Sequence, residues 1–139
     1  MNNKEKLISI CIPVLNEEEN IEPLYSSINK TLAETSKNYS FELILTDNHS
    51  TDKTWELIKK LSEKDKRVKA LRFSRNFGFQ KSILFNYQQA KGQAVIQLDA
   101  DLQDPTALIN DFIKKWEEGY LVVYGIRKTR KENFLLNYF

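Results

Sequence analysis

The sequence predicts an α/β protein whose mostly parallel β-sheet is covered by helices on both faces. Short apolar runs alternate along the chain with longer segments in which apolar residues recur at helical spacing. The short runs are almost continuously apolar, as expected for strands that are buried on both faces. The 139 residues, 41% of them hydrophobic and 29% charged, suffice for one sizeable core. We therefore expect a single domain over residues 1–139.

The first half of the chain predicts two strand–helix units. Leu7–Val14 is an apolar run with the length and flanks of a buried strand, and Asn16 and Glu19 then match the pattern of a capping box. Phe41–Thr46 predicts the second strand, after which Ser50 or Thr51 can cap the next helix. The apolar residues at helical spacing are Ile21, Leu24, Ile28 and Leu32 in the first helix and Trp55, Ile58 and Leu61 in the second.

The second half of the chain predicts three more strands and two more helices. A loop over Ser74–Phe79 precedes the third helix, while Asp104 and Pro105 suit the N-cap and first position of the fourth. Gly119 predicts the end of that fourth helix. The predicted strands are Val68–Phe73, Ala94–Leu98 and Leu121–Tyr124, and the helical apolar residues are Ile83, Leu84 and Tyr87, then Leu108, Ile109, Phe112, Ile113 and Trp116.

Two aspartates follow the fourth predicted strand at a spacing that suits a metal ion. Asp99 and Asp101 are two residues apart, so in extended backbone their side chains point to the same side. Carboxylate oxygens at the end of a strand suit Mg²⁺ or Mn²⁺ carrying a diphosphate. The simpler alternative is a solvated acidic turn, which the flanking strand and helix start disfavour.

Polar pairs follow the other predicted strands as well. They are Asn16-Glu17, Asp47-Asn48 and Arg75-Asn76. Because ligands of open parallel sheets bind outside the carboxyl ends of the strands, we expect these side chains to lie at one rim with the two aspartates.

Composition excludes several other classes of protein. A net charge of +2 does not by itself indicate a nucleic-acid partner, and a single cysteine, Cys11, excludes an intrachain disulfide. No run approaches the roughly 20 apolar residues of a membrane span. No glycine-rich phosphate loop of the dinucleotide-binding or P-loop type follows any predicted strand.

The motifs together resemble the family 2 glycosyltransferases of the GT-A fold. Within that family they are similar to the polyprenyl-phosphate glycosyltransferase branch, which includes dolichol-phosphate mannose synthases and undecaprenyl-phosphate glucosyltransferases. The resemblance covers almost the whole chain in order. The segments that carry it are Ile12–Ile21, Asp47–Thr54, Ser74–Gly78, Asp99–Pro105, Lys115–Tyr120 and Val122–Arg127.

This resemblance implies a role for each polar cluster. Asp47 would read the base of a nucleotide sugar, Gln103 would help to coordinate Mg²⁺ or Mn²⁺, and Arg127 would bind a phosphate. The implied catalytic residues are Asp101 and Arg127; the nucleotide-sugar contacts are Pro13, Leu15, Glu17, Asp47, Asn48, Arg75 and Asp99; the metal ligands are Asp99, Asp101 and Gln103.

Each role has a structural alternative. Glu17 can simply favour the positive end of its helix, and Asp47 can form an Asx turn after its strand. Gln103 can be an exposed loop residue, and Arg75 and Asn76 can hold their loop in place.

The chain departs from the family pattern at two positions. The family commonly has a second aspartate and a glycine where Asn48 and His49 stand. His49 must therefore adopt whatever backbone conformation the glycine allows.

The resemblance also implies partners for the reaction. We expect an inverting transferase that moves a hexose from UDP- or GDP-hexose to a polyprenyl phosphate at the cytoplasmic side of the plasma membrane. Family members continue beyond the position of Phe139 into an acceptor-binding region, so we expect a truncated chain whose membrane contact lies in that further region. The alternatives are transfer to a saccharide hydroxyl and a nucleotide-binding fragment without turnover.

Overall fold

The computed structural model describes residues 5–35 and 37–126, which form four strands and four helices in strict alternation. The predicted fifth strand, Leu121–Tyr124, lies within the described residues but is not a strand there. The elements are β1 (Lys6–Val14), α1 (Ile21–Glu34), β2 (Tyr39–Asp47), α2 (Thr54–Lys64), β3 (Val68–Arg72), α3 (Phe79–Gln89), β4 (Ala94–Gln97) and α4 (Leu108–Glu117).

The four strands form one parallel sheet in the order β3-β2-β1-β4. The register pairs Val14 with Asp47 and Asp47 with Arg72, so the carboxyl ends of β1, β2 and β3 are level. Leu98 extends β4 in the same direction, because its N–H donates to the carbonyl of Cys11 at 3.0 Å. The loops after all four strands therefore leave the sheet at one edge, as the sequence predicts.

The two faces of the sheet are covered differently. One face carries an apolar core, in which alternate residues of the strands pack against α1, α2 and α4. The fully buried side chains of this core include Ile8, Ile10, Ile12, Leu43, Ile28, Ile58 and Ile109.

The opposite face of the sheet is largely polar and packs against α3. Glu42 of β2 accepts hydrogen bonds from Ser9 Oγ and from the Lys91 N–H, both at 2.6 Å, and pairs with Lys69 of β3. Thr46 Oγ1 donates to Asn86 Oδ1 of α3. Because these groups bond to one another, the face can be buried without apolar residues throughout.

Three predicted helix starts are wrong. α1 begins at Ile21 rather than after Asn16, α2 begins at Thr54, and α4 begins at Leu108 rather than at Pro105. Residues 105–108 instead form a tight turn, in which the Leu108 N–H donates to the Pro105 carbonyl at 3.1 Å. None of the three helices has a side-chain cap at its N-cap residue.

The predicted fifth strand fails for lack of a partner. Leu121 and Val122 are strongly exposed, and residues 121–126 face β4 across a groove with no described strand between them. Apolar β-branched sequence forms a strand only where a neighbouring backbone can pair with it. Among the described residues, no helix is both long and apolar enough to span a bilayer.

Candidate functional site

A cavity of about 280 Å³ opens at the carboxyl edge of the sheet, where the polar clusters were predicted to meet. It collects residues from the ends of three strands and from the start of α3. The lining residues are Pro13, Val14, Leu15, Glu17, Asn48, Asn76, Gly78, Phe79, Ser82, Asp99, Ala100 and Asp101.

Six of the ten predicted site residues line this cavity. Asp47, Arg75 and Gln103 do not, and Arg127 lies outside the described residues. The six are Pro13, Leu15, Glu17, Asn48, Asp99 and Asp101.

Sequence reasoning missed the contribution of α3 to this cavity. Gly78, Phe79 and Ser82 line it because the loop after β3 brings the first turn of the helix back over the rim. Gly78 has a φ of +88°, which glycine adopts without strain, so the glycine of the Ser74–Gly78 motif was the available signal.

The loops after β1 and β2 are braced against each other by hydrogen bonds that run in both directions. The Asn16 N–H donates to Ser50 Oγ and the Glu17 N–H to Thr54 Oγ1, both at 2.8 Å. In return, the Thr51 N–H donates to Asn16 Oδ1 at 2.9 Å and the Lys53 N–H to the Glu18 carboxylate at 2.8 Å. This brace fixes the backbone that presents Leu15 and Glu17 to the cavity.

Asp52 strengthens the same brace. Its carboxylate accepts from the Thr54 N–H at 2.9 Å and from the Glu18 N–H at 3.2 Å. Burial raises the pKa of Asp52, but the hydrogen bonds from Thr54 and Glu18 lower it by a larger amount, so the pKa lies below its ordinary value. The carboxylate therefore stays ionised at neutral pH and keeps accepting both bonds.

Asp47 lies beneath the cavity rather than in its wall. Its carboxylate is fully buried, accepts from the Ser50 N–H at 2.9 Å and lies 3.0 Å from Arg72 Nε, an approach without hydrogen-bond alignment. Arg72 also donates to the Ser50 carbonyl at 3.0 Å and lies over the ring of Trp55. These contacts give Asp47 a structural role at the end of β2, although its bond to Ser50 spans three residues rather than the two of an Asx turn. A direct contact of Asp47 with a base stays a prediction.

Asn48 takes the position on the cavity wall. Its Nδ2 donates to Asn76 Oδ1 at 2.8 Å and its Oδ1 accepts from the Phe77 N–H at 2.9 Å. Asn76 Oδ1 also accepts from the Gly78 N–H at 2.8 Å. The two amides thus tie the end of β2 to the loop before α3, so Asn76 both holds its loop and lines the cavity.

Three residues of the rim loops adopt positive φ without being glycine. They are Asn16 at +52°, His49 at +68° and Leu102 at +59°. His49 does take up the backbone conformation that a glycine would allow, and its Nδ1 lies 3.2 Å from the Phe73 carbonyl. A leucine in this region costs roughly 1–2 kcal/mol, so the loop around Leu102 is held by its surroundings.

The two aspartates of the fourth loop provide the carboxylates of the cavity, together with Glu17. Asp101 Oδ1 accepts from the Gln103 N–H at 3.0 Å, which closes a turn around Leu102. Asp99 lines both this cavity and a larger groove of about 1,130 Å³ along β4 and α4, and the side chain of Gln103 lies on the groove side. Asp99 therefore marks the junction of the two spaces.

The donor set fits Mg²⁺ or Mn²⁺ that arrives with a ligand. Within residues 5–35 and 37–126 no group of three or more His, Cys, Asp or Glu could hold a metal on its own. Mg²⁺ is commonly held by only one or two carboxylates together with substrate phosphates. The cavity lining contains three carboxylates and no Lys, Arg or His, so a diphosphate would need a cation between itself and this wall.

A parallel sheet with such a cavity at its carboxyl edge defines an α/β protein with a candidate ligand site. Residues 9–138 match the model of the glycosyl transferase family 2, and the chain belongs to that family. It is 44% identical over 123 residues to an uncharacterized glycosyltransferase, YkcC of Bacillus subtilis, covering 88% of this chain and 38% of YkcC. It is 37% identical over 123 residues to a prophage bactoprenol glucosyl transferase homolog of Escherichia coli, covering 88% of this chain and 40% of that protein. The chain thus spans about two-fifths of the length of these curated relatives.

Solved structures confirm the GT-A fold that the resemblance implied. S. aureus TarS 1–349 in complex with UDP-GlcNAc has a TM-score of 0.66 and 27% identity, covering 80% of this chain and 31% of that one. The mannosyltransferase PcManGT of Pyrobaculum calidifontis, in complex with GDP-Man and Mn²⁺, has a TM-score of 0.61 and 20% identity, covering 76% of this chain and 31% of that one. At 20% identity the second likeness shows the fold alone.

Proposed function

We propose that this chain binds the nucleoside diphosphate hexose of an inverting glycosyltransferase whose acceptor is a polyprenyl phosphate. The observation that carries the proposal is the convergence of Glu17, Asn48, Asp99 and Asp101 on one cavity at the carboxyl edge of the sheet. The similarity to bactoprenol glucosyl transferases supports the acceptor, and the UDP-GlcNAc held by a structural neighbour supports the donor.

The nucleoside would lie between Pro13 and Leu15 on one side and the Asn48–Asn76 pair on the other. Beyond the bonds that Asn48 makes within the protein, its amide has a second N–H and a second lone pair. It can therefore offer one donor and one acceptor to the edge of a base. Asp47 and Arg72 would position Asn48 from below without touching the ligand.

The diphosphate would lie against Asp99 and Asp101, which would hold Mg²⁺ or Mn²⁺ together with Gln103. The ion, when bound, neutralises the negative charge that develops on the leaving diphosphate. Asp99 would orient the donor so that its sugar faces the groove along β4, because this residue borders both spaces.

Transfer to a polyprenyl phosphate needs no general base from the protein. A phosphate monoester with a second pKa of about 6 is already anionic at neutral pH. Its oxygen would form the new bond to the anomeric carbon while the bond to the nucleoside diphosphate breaks on the opposite side, which inverts the configuration. The enzyme's residues would then act mainly by positioning the two reactants.

Calorimetric titration tests the donor site directly. UDP-glucose, UDP and GDP are titrated into the 139-residue chain with Mn²⁺ and with EDTA, then into Asp101→Asn and into Asp111→Asn, a control at an exposed position of α4 outside the cavity. We expect binding that requires Mn²⁺, is lost in Asp101→Asn and is unchanged in Asp111→Asn. A folded protein that binds no nucleotide with Mn²⁺ would contradict the proposal.

Transfer of labelled glucose from UDP-glucose to a polyprenyl phosphate, against transfer to a saccharide, tests the acceptor. Label in the saccharide and not in the lipid would contradict the acceptor while leaving the donor site intact.

A further inference from the structure

Helix α3 differs from an ordinary surface helix in which side chains it buries. Its two buried side chains are polar, Ser82 at 1% and Asn86 at 0% exposure, and they face the polar side of the sheet. Three of its large apolar side chains are exposed instead, Leu84 at 58%, Phe79 at 54% and Tyr87 at 45%, whereas Ile83 and Phe85 are half-buried. A soluble surface helix normally buries its apolar stripe, so the outer side of α3 is suited to an apolar environment.

The charged residues of the segment that carries this helix are all positive. From Lys66 to Leu98 the sequence contains seven Lys or Arg residues and no Asp or Glu. Among the described residues, the cations at the start of this segment pair with acids of other elements, as Lys69 does with Glu42 and Arg72 with Asp47. Arg75, Lys81 and Lys91, on α3 and its flanks, make no described ion pair.

We propose that this α3 surface, made of Arg75, Phe79, Lys81, Leu84, Tyr87 and Lys91, lies on an anionic lipid bilayer. Exposed apolar side chains beside cations that make no described ion pair, in a segment without an acidic residue, suit the interface of an anionic membrane. Its positive charge complements anionic headgroups, and its apolar side chains gain an apolar environment at the same surface.

A nucleic acid fits this surface less well than a bilayer. Single-stranded nucleic acids are held by cations and by aromatic rings on which bases stack. The surface has two aromatic rings, but Tyr87 donates its hydroxyl to Gln97 at 2.8 Å and Phe79 lines the cavity; Leu84, the most exposed apolar residue of α3, offers no stacking surface. Arg75, which could stack on a base, already lies over the ring of Phe77 at 4.7 Å.

The α3 surface adjoins the candidate donor site, so a bilayer bound to α3 would also determine where the mouth of the cavity lies. Phe79 belongs to this surface and also lines the 280 Å³ cavity. A bilayer against α3 would therefore place the mouth of the cavity at headgroup level, where a polyprenyl phosphate presents its phosphate. This consequence rests on the proposed function, whereas the bilayer contact itself does not.

Vesicle sedimentation without nucleotide tests the contact. The 139-residue chain is mixed with phosphatidylcholine vesicles that contain either no or one-third phosphatidylglycerol. We expect binding to the anionic vesicles, weakened about fivefold in Lys81→Gln and about tenfold in Leu84→Gln. Lys60→Gln, on exposed α2, makes the same change of net charge and should have no effect. Every variant retains residues 127–139, so a difference between variants reports α3 rather than those residues.

A fluorescent label locates the contact. Leu84→Cys and Lys60→Cys are each labelled with a polarity-sensitive dye, since the only native thiol, Cys11, is buried. We expect a blue shift on adding anionic vesicles at position 84 only. Equal shifts at both positions, equal weakening by Lys81→Gln and Lys60→Gln, tighter binding to a single-stranded oligonucleotide than to vesicles, or no preference for anionic vesicles would each overturn the proposal. Nucleotide calorimetry on the same variants shows whether the donor site stands independently of this result.

Discussion

Replacing Arg72 by methionine leaves a buried carboxylate without its cation. Asp47 has no solvent exposure, and after the change its only described partner is the Ser50 N–H. Breaking a buried ion pair from one side costs about 3–5 kcal/mol. The Arg72 side chain is 34% exposed, so screening reduces this to about 2 kcal/mol. The lost hydrogen bond to the Ser50 carbonyl adds about 1 kcal/mol.

The expected total loss is about 3 kcal/mol, which corresponds to a fall of about 10 °C in the midpoint of thermal unfolding for a chain of this size. Urea unfolding at pH 7 measures the free energy, and Arg75→Met is the matched control because that guanidinium is exposed and stacks only on Phe77. We expect the control to lose less than about 1 kcal/mol. A loss below about 1 kcal/mol in Arg72→Met would show that the pair does not stabilise the loops.

The double variant Asp47→Asn with Arg72→Met separates stability from ligand binding. It removes both charges but keeps an oxygen for the Ser50 N–H, so most of the lost stability should return. If Asp47 only positions its neighbours, the double variant should bind nucleotide within a factor of about three of the unaltered protein, or about 0.7 kcal/mol. A larger loss in a stable protein would show that Asp47 contacts the base.

Three further predictions concern the polar face of the sheet. Burial raises the pKa of Glu42, but hydrogen bonds from Lys69, Ser9 and the Lys91 N–H lower it by a larger amount, so the pKa lies below its ordinary value. Because the pKa of Glu42 is lowered in the folded protein, its carboxylate stabilises the fold above pH 4.5, the ordinary value, and this stabilisation is lost as pH falls below that value. In Glu42→Gln, the free energy of unfolding, measured by urea at a series of pH values, should therefore fall less steeply on the acid side. Burial raises the pKa of Cys11 to about 12, so the native protein should resist a thiol reagent at pH 8 and react at the rate at which it unfolds. Gly92→Ala would place a Cβ 2.6 Å from the Ser9 nitrogen, so we expect the free energy of unfolding to fall by more than about 3 kcal/mol. We expect no such fall for Gly125→Ala, where the nearest atom, in Phe112, is 3.8 Å from the added Cβ.

The order of elements could be predicted because periodicity reports burial on both faces of each strand. All four strands of the sheet were predicted within two residues at either end. The fifth prediction, Leu121–Tyr124, shows the limit of the method. Its apolar residues have high strand propensity, but propensity does not supply the second backbone that a strand requires, and no local pattern reports whether one is present.

The cavity could be predicted only where its residues follow a strand directly. Asp99 reaches it because it closely follows β4, at the edge that the parallel sheet fixes, whereas Asp101 reaches it from a turn and not from the extended backbone on which its prediction rested. Asp47 and Asn48 are adjacent, and alternation sends one beneath the sheet edge and the other into the cavity, so choosing between them requires knowing which face is covered. The start of α3 enters through a loop whose path the sequence does not specify.

The wrong helix caps and the rigid cavity have one explanation. Asn16 and Ser50 carry the side chains of N-cap residues, yet their hydrogen bonds run between the loops after β1 and β2 instead of into the helices that follow. A side chain that caps its own helix stabilises that helix alone, whereas one that bonds to a neighbouring loop fixes the distance between two strand ends. The helices lose little, because packing of their apolar faces holds them in place. The loops gain a fixed backbone, which a site needs if it is to hold a diphosphate and a sugar in one orientation. The control is Ser62→Ala, because the Ser62 hydroxyl on α2 bonds, among the described residues, to the Lys59 carbonyl. Relative to that control, Ser50→Ala should therefore lower the affinity for nucleotide clearly and the thermal midpoint only slightly.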